Sequence, residues 1–169
     1  MVARTYNHLG VLYNKKEQYA LSLEMHNKAL AIYREVLGEN HAETAAAYGN
    51  LGGLYILLDR YEEGIEIYRK TLAIEERVYG PNNHHMAITL SNISAAYTLM
   101  GKLDESINIY KKTLPIVKAC YGENHPETAR VLLMLGTAYL TKQQYAECIS
   151  MMQQARAIFI SSLGERQAE

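Results

Sequence analysis

Large apolar, small and polar positions recur along this chain in register every 42 residues. Leu9, Leu51, Ile93 and Leu135 form one column, Gly10, Gly52, Ser94 and Gly136 the next, and Tyr13, Tyr55, Tyr97 and Tyr139 a third. Positions four apart fall on one helical face, so the first and third columns mark a buried stripe, and the small column beside it admits a second helix closely. A second set of columns follows to supply that helix: Tyr19, Tyr61, Leu103 and Tyr145; Ser22, Gly64, Ser106 and Cys148; Leu23, Ile65, Ile107 and Ile149; Ala29, Thr71, Thr113 and Ala155. Large and small again alternate at helical spacing. Each unit is therefore predicted to be two helices, A over 2–15, 43–57, 85–99 and 127–141, and B over 18–36, 60–78, 102–120 and 144–162.

The stretch Leu37-Gly38-Glu39-Asn40-His41-Ala42-Glu43-Thr44 returns nearly letter for letter as Tyr121 to Thr128, with a looser copy at Tyr79 to Met86. A fixed period of this size is the signature of a solenoid. Within the stretch, the glycine suits a left-handed residue just past a helix end. Asn and His can accept first-turn amides, Pro126 fits a first turn, and Glu43 and Glu127 favour the positive end of the helix dipole. Leu58-Asp59-Arg60 and Gly101-Lys102 read as the A-to-B turns. Pro115 lies inside the third B helix, where it removes a backbone bond and is predicted to bend the helix, at a cost of about 3 kcal/mol.

A helix pair with Leu-Gly-x-x-Tyr in the first helix and a small-residue column in the second resembles the tetratricopeptide repeat over the whole chain. The long B helix and the Gly-x-Asn-His-Pro linker look like the 42-residue variant of kinesin light chains and nephrocystin-3-like proteins. The resemblance implies an all-α, right-handed α-solenoid of four helix-turn-helix repeats, eight helices in one domain, with repeats over about 2–43, 44–85, 86–127 and 128–169. It implies a non-catalytic protein-interaction module, an adaptor or scaffold. After Met1 the chain is four whole periods cut within the linker, which reads as part of a longer array or as a short protein built by duplication. Repeat 4 carries Arg156 and Ser162 at columns that are apolar or Cys elsewhere, and Gly164-Glu165-Arg166-Gln167 lacks the Asn-His, as a terminal repeat requires.

Charge and composition narrow the partners. Lys+Arg 17 against Asp+Glu 18 leaves no basic excess for nucleic acid or anionic membrane. The apolar run Val131–Leu135 is far short of a span and no signal or transit pattern opens the chain, so a soluble, cytoplasmic protein is expected. Cys120 and Cys148 are expected as small core residues; their repeat positions put them roughly 21 Å apart along the helix axis, beyond any bridge. His41, His84, His85 and His125 invite a metal reading, but no cysteine or carboxylate pair converges with them and capping accounts for Asn-His, so no metal is expected. No phosphate loop, nucleophile elbow or paired-carboxylate constellation is present, and neither cofactor nor catalysis is expected. His26 replaces the large residue of its column, Tyr68, Tyr110 and Met152, and reads as a partly buried packing residue.

The remaining candidate is a surface. With Leu9 and Tyr13 facing inward, the opposite side of helix A carries Arg4, Asn7, Val11, Asn14 and Lys15. Its equivalents are Ala46, Gly49, Gly53, Ile56 and Leu57 beside Asn50; Ile88, Ser91, Ala95, Thr98 and Leu99 beside Asn92; and Arg130, Leu133, Thr137, Leu140 and Thr141 beside Met134. In the family this face lines the concave groove that holds an extended peptide. Here it is small and apolar in the middle, with Arg4, Lys15 and Arg130 to receive acidic flanks and Ile88, Leu99 and Leu133 to receive apolar side chains. Asn50 and Asn92 can donate to and accept from a peptide backbone. The resemblance carries these two over, because kinesin-light-chain repeats bear Asn in this column and use it on cargo peptides, whereas His8 and Met134 depart from it. Of the carboxylate-clamp positions of chaperone-binding repeats, Asn7, Val11, Asn50, Ile88 and Asn92, only Asn50 matches. The expected function is binding of a short extended protein segment; the alternative is a scaffold that self-associates through array ends, on the uncovered first helix and on Met152, Phe159 and Ile160.

Overall fold

A computed structural model describes residues 1–166, with side chains through Ser162. Among the described residues there are eight α-helices and no strand: α1 (Val2–Lys15), α2 (Tyr19–Leu37), α3 (Ala42–Leu57), α4 (Tyr61–Tyr79), α5 (His84–Leu99), α6 (Leu103–Tyr121), α7 (Pro126–Thr141) and α8 (Tyr145–Arg166). The predicted A and B helices are present with ends displaced by a residue, except that α8 continues four residues further. The Gly164–Gln167 departure falls where no side chain is described. The fold is an all-α repeat array.

The chain divides into two compact units, residues 1–81 with α1 to α4 and residues 82–169 with α5 to α8. In the first, α1, α2, α3 and α4 pack in succession around Ala29, Leu30, Tyr33, Ala47, Leu51 and Ile74. In the second, α5 to α8 pack in the same succession, with Ile107, Tyr110, Val131, Leu135 and Tyr139 in one cluster and Ala129, Leu132, Ala155 and Ile158 in the next. Pairing within a repeat follows the large and small columns. A Cβ built on Gly52 would lie 3.0 Å from the Tyr68 ring, one on Gly136 3.0 Å from Met152, and one on Gly10 only 2.6 Å from His26. The glycine in A is thus the socket for the large residue in B, and full-length B helices pack tightly because those sockets exist.

The linkers differ in detail from the sequence expectation. Gly38, Gly80 and Gly122 have positive φ, but ψ is 170, 174 and 160°, an extended region that is essentially restricted to glycine, and not the left-handed helical one. Left-handed residues stand at Glu17, Asp59, Gly101 and Gln143, one per A-to-B turn and again 42 apart, and at Asn82 in the linker that follows α4. The cap column is His41, Asn83 and His125. His41 and His125 accept through Nδ1 from the Glu43 and Glu127 amides at 3.1 Å, and Asn83 accepts from the Met86 amide at 2.9 Å. Thr44 and Thr128 donate to the carbonyls of Gly38 and Gly122, closing the same turn in both units. Tyr48 donates to Glu39 at 2.6 Å while Arg34 binds the other carboxylate oxygen. Burial and this bond push the Tyr48 hydroxyl up to about 12, and Glu39 is held below its ordinary value, first by the Tyr48 bond. Helix α6 continues from Leu103 to Tyr121 with Pro115 inside it. Cys148 is buried as expected, but Cys120 is exposed at the C-terminal end of α6 and donates to the Asn82 carbonyl; both thiols are free.

Candidate functional site

The side of the A helices opposite the Leu and Tyr columns is the surface on which the sequence concentrates its candidate residues, and each unit presents its own portion. In the first unit Arg4 and Lys15 are exposed on α1, and Ala46 and Leu57 on α3. Asn7 and Asn50 lie half-buried between the two helices, and Asn50 Nδ2 donates to Asn7 Oδ1 at 3.0 Å. The same Asn7 oxygen is 3.0 Å from Nδ1 of His26 on α2. A carboxamide oxygen only accepts, so His26 carries its hydrogen on Nδ1 and donates. His26 is 1% exposed, not partly exposed as its column suggested, and burial lowers its proton affinity. Gly10 is the reason it fits, because an imidazole of this depth leaves no room for a β-carbon on α1.

In the second unit Ile88, Asn92 and Leu99 are exposed along α5. Ser91, expected on the same face, is buried and its hydroxyl turns back to donate to the Ala87 carbonyl, a local bond that competes with any outward role. A cavity of about 270 Å³ opens between α5 and α7, lined by Ala95, Thr98, Leu99, Met134 and Thr137, with Tyr110 of α6. Tyr110 is 2% exposed and burial pushes its hydroxyl up to about 12, so it presents a neutral phenol. The cavity exists because α5 and α7 contribute small side chains at Ala95, Thr98 and Thr137 where α6 sends in a large one. Arg130 on α7 is engaged within its own helix, with Nη2 and Nε 2.7 and 2.8 Å from Glu127 Oε2. Leu133 is partly buried and packs against the Ala129, Leu132, Ala155 and Ile158 cluster. Sequence reasoning did not identify Tyr110 and Met134 as walls of a cavity or His26 as a partner of the face; the available signal for His26 was its occurrence in the one repeat whose A helix bears Asn7.

The His84 and His85 rings are 3.8 Å apart at the start of α5, and Tyr121 stacks on His125 at 5.0 Å. Among the described residues no group of three or more His, Cys, Asp or Glu is arranged to hold a metal ion, and no helix is long and apolar enough to cross a membrane.

Three solved structures share this architecture. BtubC (BKLC) from P. vanneervenii superposes with a TM-score of 0.88 at 20% identity, over 96% of this chain and 65% of that one. The nearly identical TPR-like repeats of a Podosopora anserina protein designated a kinesin light chain give 0.81 at 20% identity, over 95% and 76%. The apo form of RapI gives 0.81 at 22% identity, over 98% and 58%. The chain thus spans less than two thirds of two of these proteins, and likeness at this identity shows the fold. No curated protein matches the sequence. The family model for the tetratricopeptide repeat matches residues 1–63, 43–119 and 85–161, which together take in almost the entire sequence. Repeats of that kind are in general non-catalytic protein–protein interaction modules, and the chain belongs to the tetratricopeptide repeat family.

Proposed function

We propose that the face of the A helices opposite the Leu and Tyr columns, the face that lines the concave groove in the family, binds a short extended segment of another protein, in an adaptor or scaffold role, with an apolar anchor and acidic neighbours. The observation that carries this reading is the cavity between α5 and α7, an apolar recess on the candidate face with Leu99, 62% exposed, at its edge. An apolar side chain entering it would cover Leu99, Met134 and the Tyr110 ring. Ile88 extends the apolar surface, Leu133 adds only the part that its packing against the α7 and α8 cluster leaves exposed, and Asn50 and Asn92 pair with peptide amide groups in their respective units. Arg4 and Lys15 attract acidic residues from solvent, whereas Arg130 must exchange Glu127 for a ligand carboxylate and so contributes less. Affinity on the order of micromolar, about −8 kcal/mol, is expected for a face of this kind. The four repeats are proposed to act as a single domain in the cytoplasm. Titration with a peptide library of leucine flanked by acidic residues tests the reading, and Asn50→Ala combined with Asn92→Ala must weaken the hits; unchanged affinity for every hit refutes it.

A second reading, self-association through an array end, draws on α8. Tyr145, Ile149 and Ile160 are each more than half exposed along one stripe, and Ile107, the α6 counterpart of Ile149, is buried. Of the three residues that first suggested this reading, Met152 fills the Gly136 socket and Phe159 packs inward, leaving Ile160. Sedimentation distinguishes the readings, because a monomer at high micromolar concentration argues against assembly.

A further inference from the structure

We propose that Asn7 and His26 are positioning residues for Asn50, holding its carboxamide in one orientation before any partner arrives. This rests on the reading of Asn50 as a peptide-binding residue. The chain of contacts runs from a buried ring to the surface: His26 Nδ1–H to Asn7 Oδ1 at 3.0 Å, and Asn50 Nδ2–H to the same oxygen at 3.0 Å. An isolated asparagine can turn its amide over, exchanging donor for acceptor at little cost. That freedom is lost here. The buried His26 ring and the Asn50 amide converge on one Asn7 oxygen, an arrangement that is satisfied only with a hydrogen on His26 Nδ1 and the NH2 of Asn50 turned toward Asn7. One amide hydrogen of Asn50 is thereby committed, and its carbonyl oxygen and other hydrogen are aimed as a fixed acceptor and donor.

The sequence carries the same pairing independently. The column of His26 holds Tyr68, Tyr110 and Met152, and the column of Asn7 holds Gly49, Ser91 and Leu133, so a ring that can donate and a carboxamide that can accept occur together in the first repeat and in no other. Burial of the His26 ring requires a partner for its N–H, which Asn7 supplies, and the same Asn7 oxygen also receives the Asn50 amide. The partner chemistry that follows is a peptide backbone amide unit, which offers one donor and one acceptor in a fixed relation. A preset carboxamide meets it without having to be ordered on binding.

The test uses the full chain labelled with 15N. The expected result is His26 in its Nδ1–H tautomer and an Asn50 NH2 pair shifted from the values of an exposed amide. Asn7→Ala should return the Asn50 pair to exposed-amide values and release the tautomer. His26→Tyr, the residue of repeats 2 and 3, keeps the socket filled and should shift the Asn50 pair partway, whereas His26→Asn restores a donor and should bring it back. With the leucine-and-acid peptides as probes, Asn7→Ala should weaken binding about as much as Asn50→Ala, roughly five- to tenfold for one lost hydrogen bond, with no further loss in the double variant. Unchanged Asn50 NH2 signals in Asn7→Ala overturn the positioning role. Shifted signals with no effect of Asn50→Ala on any peptide leave the orientation standing and refute the peptide-binding reading instead.

Discussion

Replacing Gly10 by alanine isolates the socket on which the first repeat depends. The new Cβ would lie 2.6, 2.7 and 2.8 Å from Cε1, Nε2 and Nδ1 of His26. An ordinary contact needs about 3.5 Å, so the ring must retreat by roughly 0.8 Å. It has little freedom to do so, because it is 1% exposed and bonded to Asn7 at 3.0 Å. Overpacking of this kind costs about 1–3 kcal/mol, and losing the Asn7 bond adds about 1 kcal/mol. Against this stands a gain of about 1 kcal/mol from replacing glycine inside a helix. The net expectation is destabilisation by about 2 kcal/mol, measured by urea unfolding. In a His26→Ala background the ring is gone and only the propensity term remains, so the same Gly10→Ala change should stabilise by about 0.5–1 kcal/mol. The coupling between the two sites is then about 3 kcal/mol, within the range for residues in contact. Equal effects of Gly10→Ala in both backgrounds, or stabilisation of the parent, would refute the socket argument.

Other consequences are open to measurement. The proton affinity of His26 is lowered in the folded chain by burial, so the unfolded state binds the proton more readily; the associated stability is complete above about pH 6.5 and is lost as pH falls from there through the lower folded-state value. The His26→Tyr chain should therefore lose less stability than the parent between pH 7 and 5, and identical pH profiles would contradict this. Gln143→Gly relieves a non-glycine residue held at φ 61°. It should raise the unfolding midpoint through a gain of up to about 1 kcal/mol, whereas Gly101→Ala at the equivalent turn should lower it. Removing the α7 cap with His125→Ala should cost about 1 kcal/mol, and His125→Asn, which restores the residue type found at Asn83, should recover most of it. Filling the α5 to α7 cavity with Ala95→Phe should abolish capture of leucine-anchored peptides without lowering the unfolding midpoint; retained binding would place the anchor elsewhere.

How far the chain could be read without coordinates depended on the range over which each property is set. Helix positions, the socket columns and the caps are local or strictly periodic, and repetition at 42 residues gave each of them several independent witnesses, so a one-residue displacement was the main departure. Caps at His41 and His125 and glycines past the B helices follow from backbone chemistry that operates within a few residues. The torsions of Gly38, Gly80 and Gly122, and the left-handed residues at Glu17, Asp59 and Gln143, were less legible, since a positive φ at a non-glycine position is imposed by the two helices it must join.

The face itself divides more sharply. Periodicity alone placed Arg4, Asn7, Asn50, Ile88, Asn92, Leu99, Arg130 and Leu133 on one side of their helices. Tertiary packing then decided what each residue can still do: Ser91 turned inward, Arg130 was taken by Glu127, Leu133 joined the α7 and α8 core, and Asn7 was captured by a histidine from α2. A helical wheel specifies direction but not the occupant of the space in that direction. Whether a side chain on the wheel meets solvent, a cavity or another side chain depends on residues 19 and 43 positions away, as for His26 and Asn50 with Asn7, and only the folded packing of the helices brings them together.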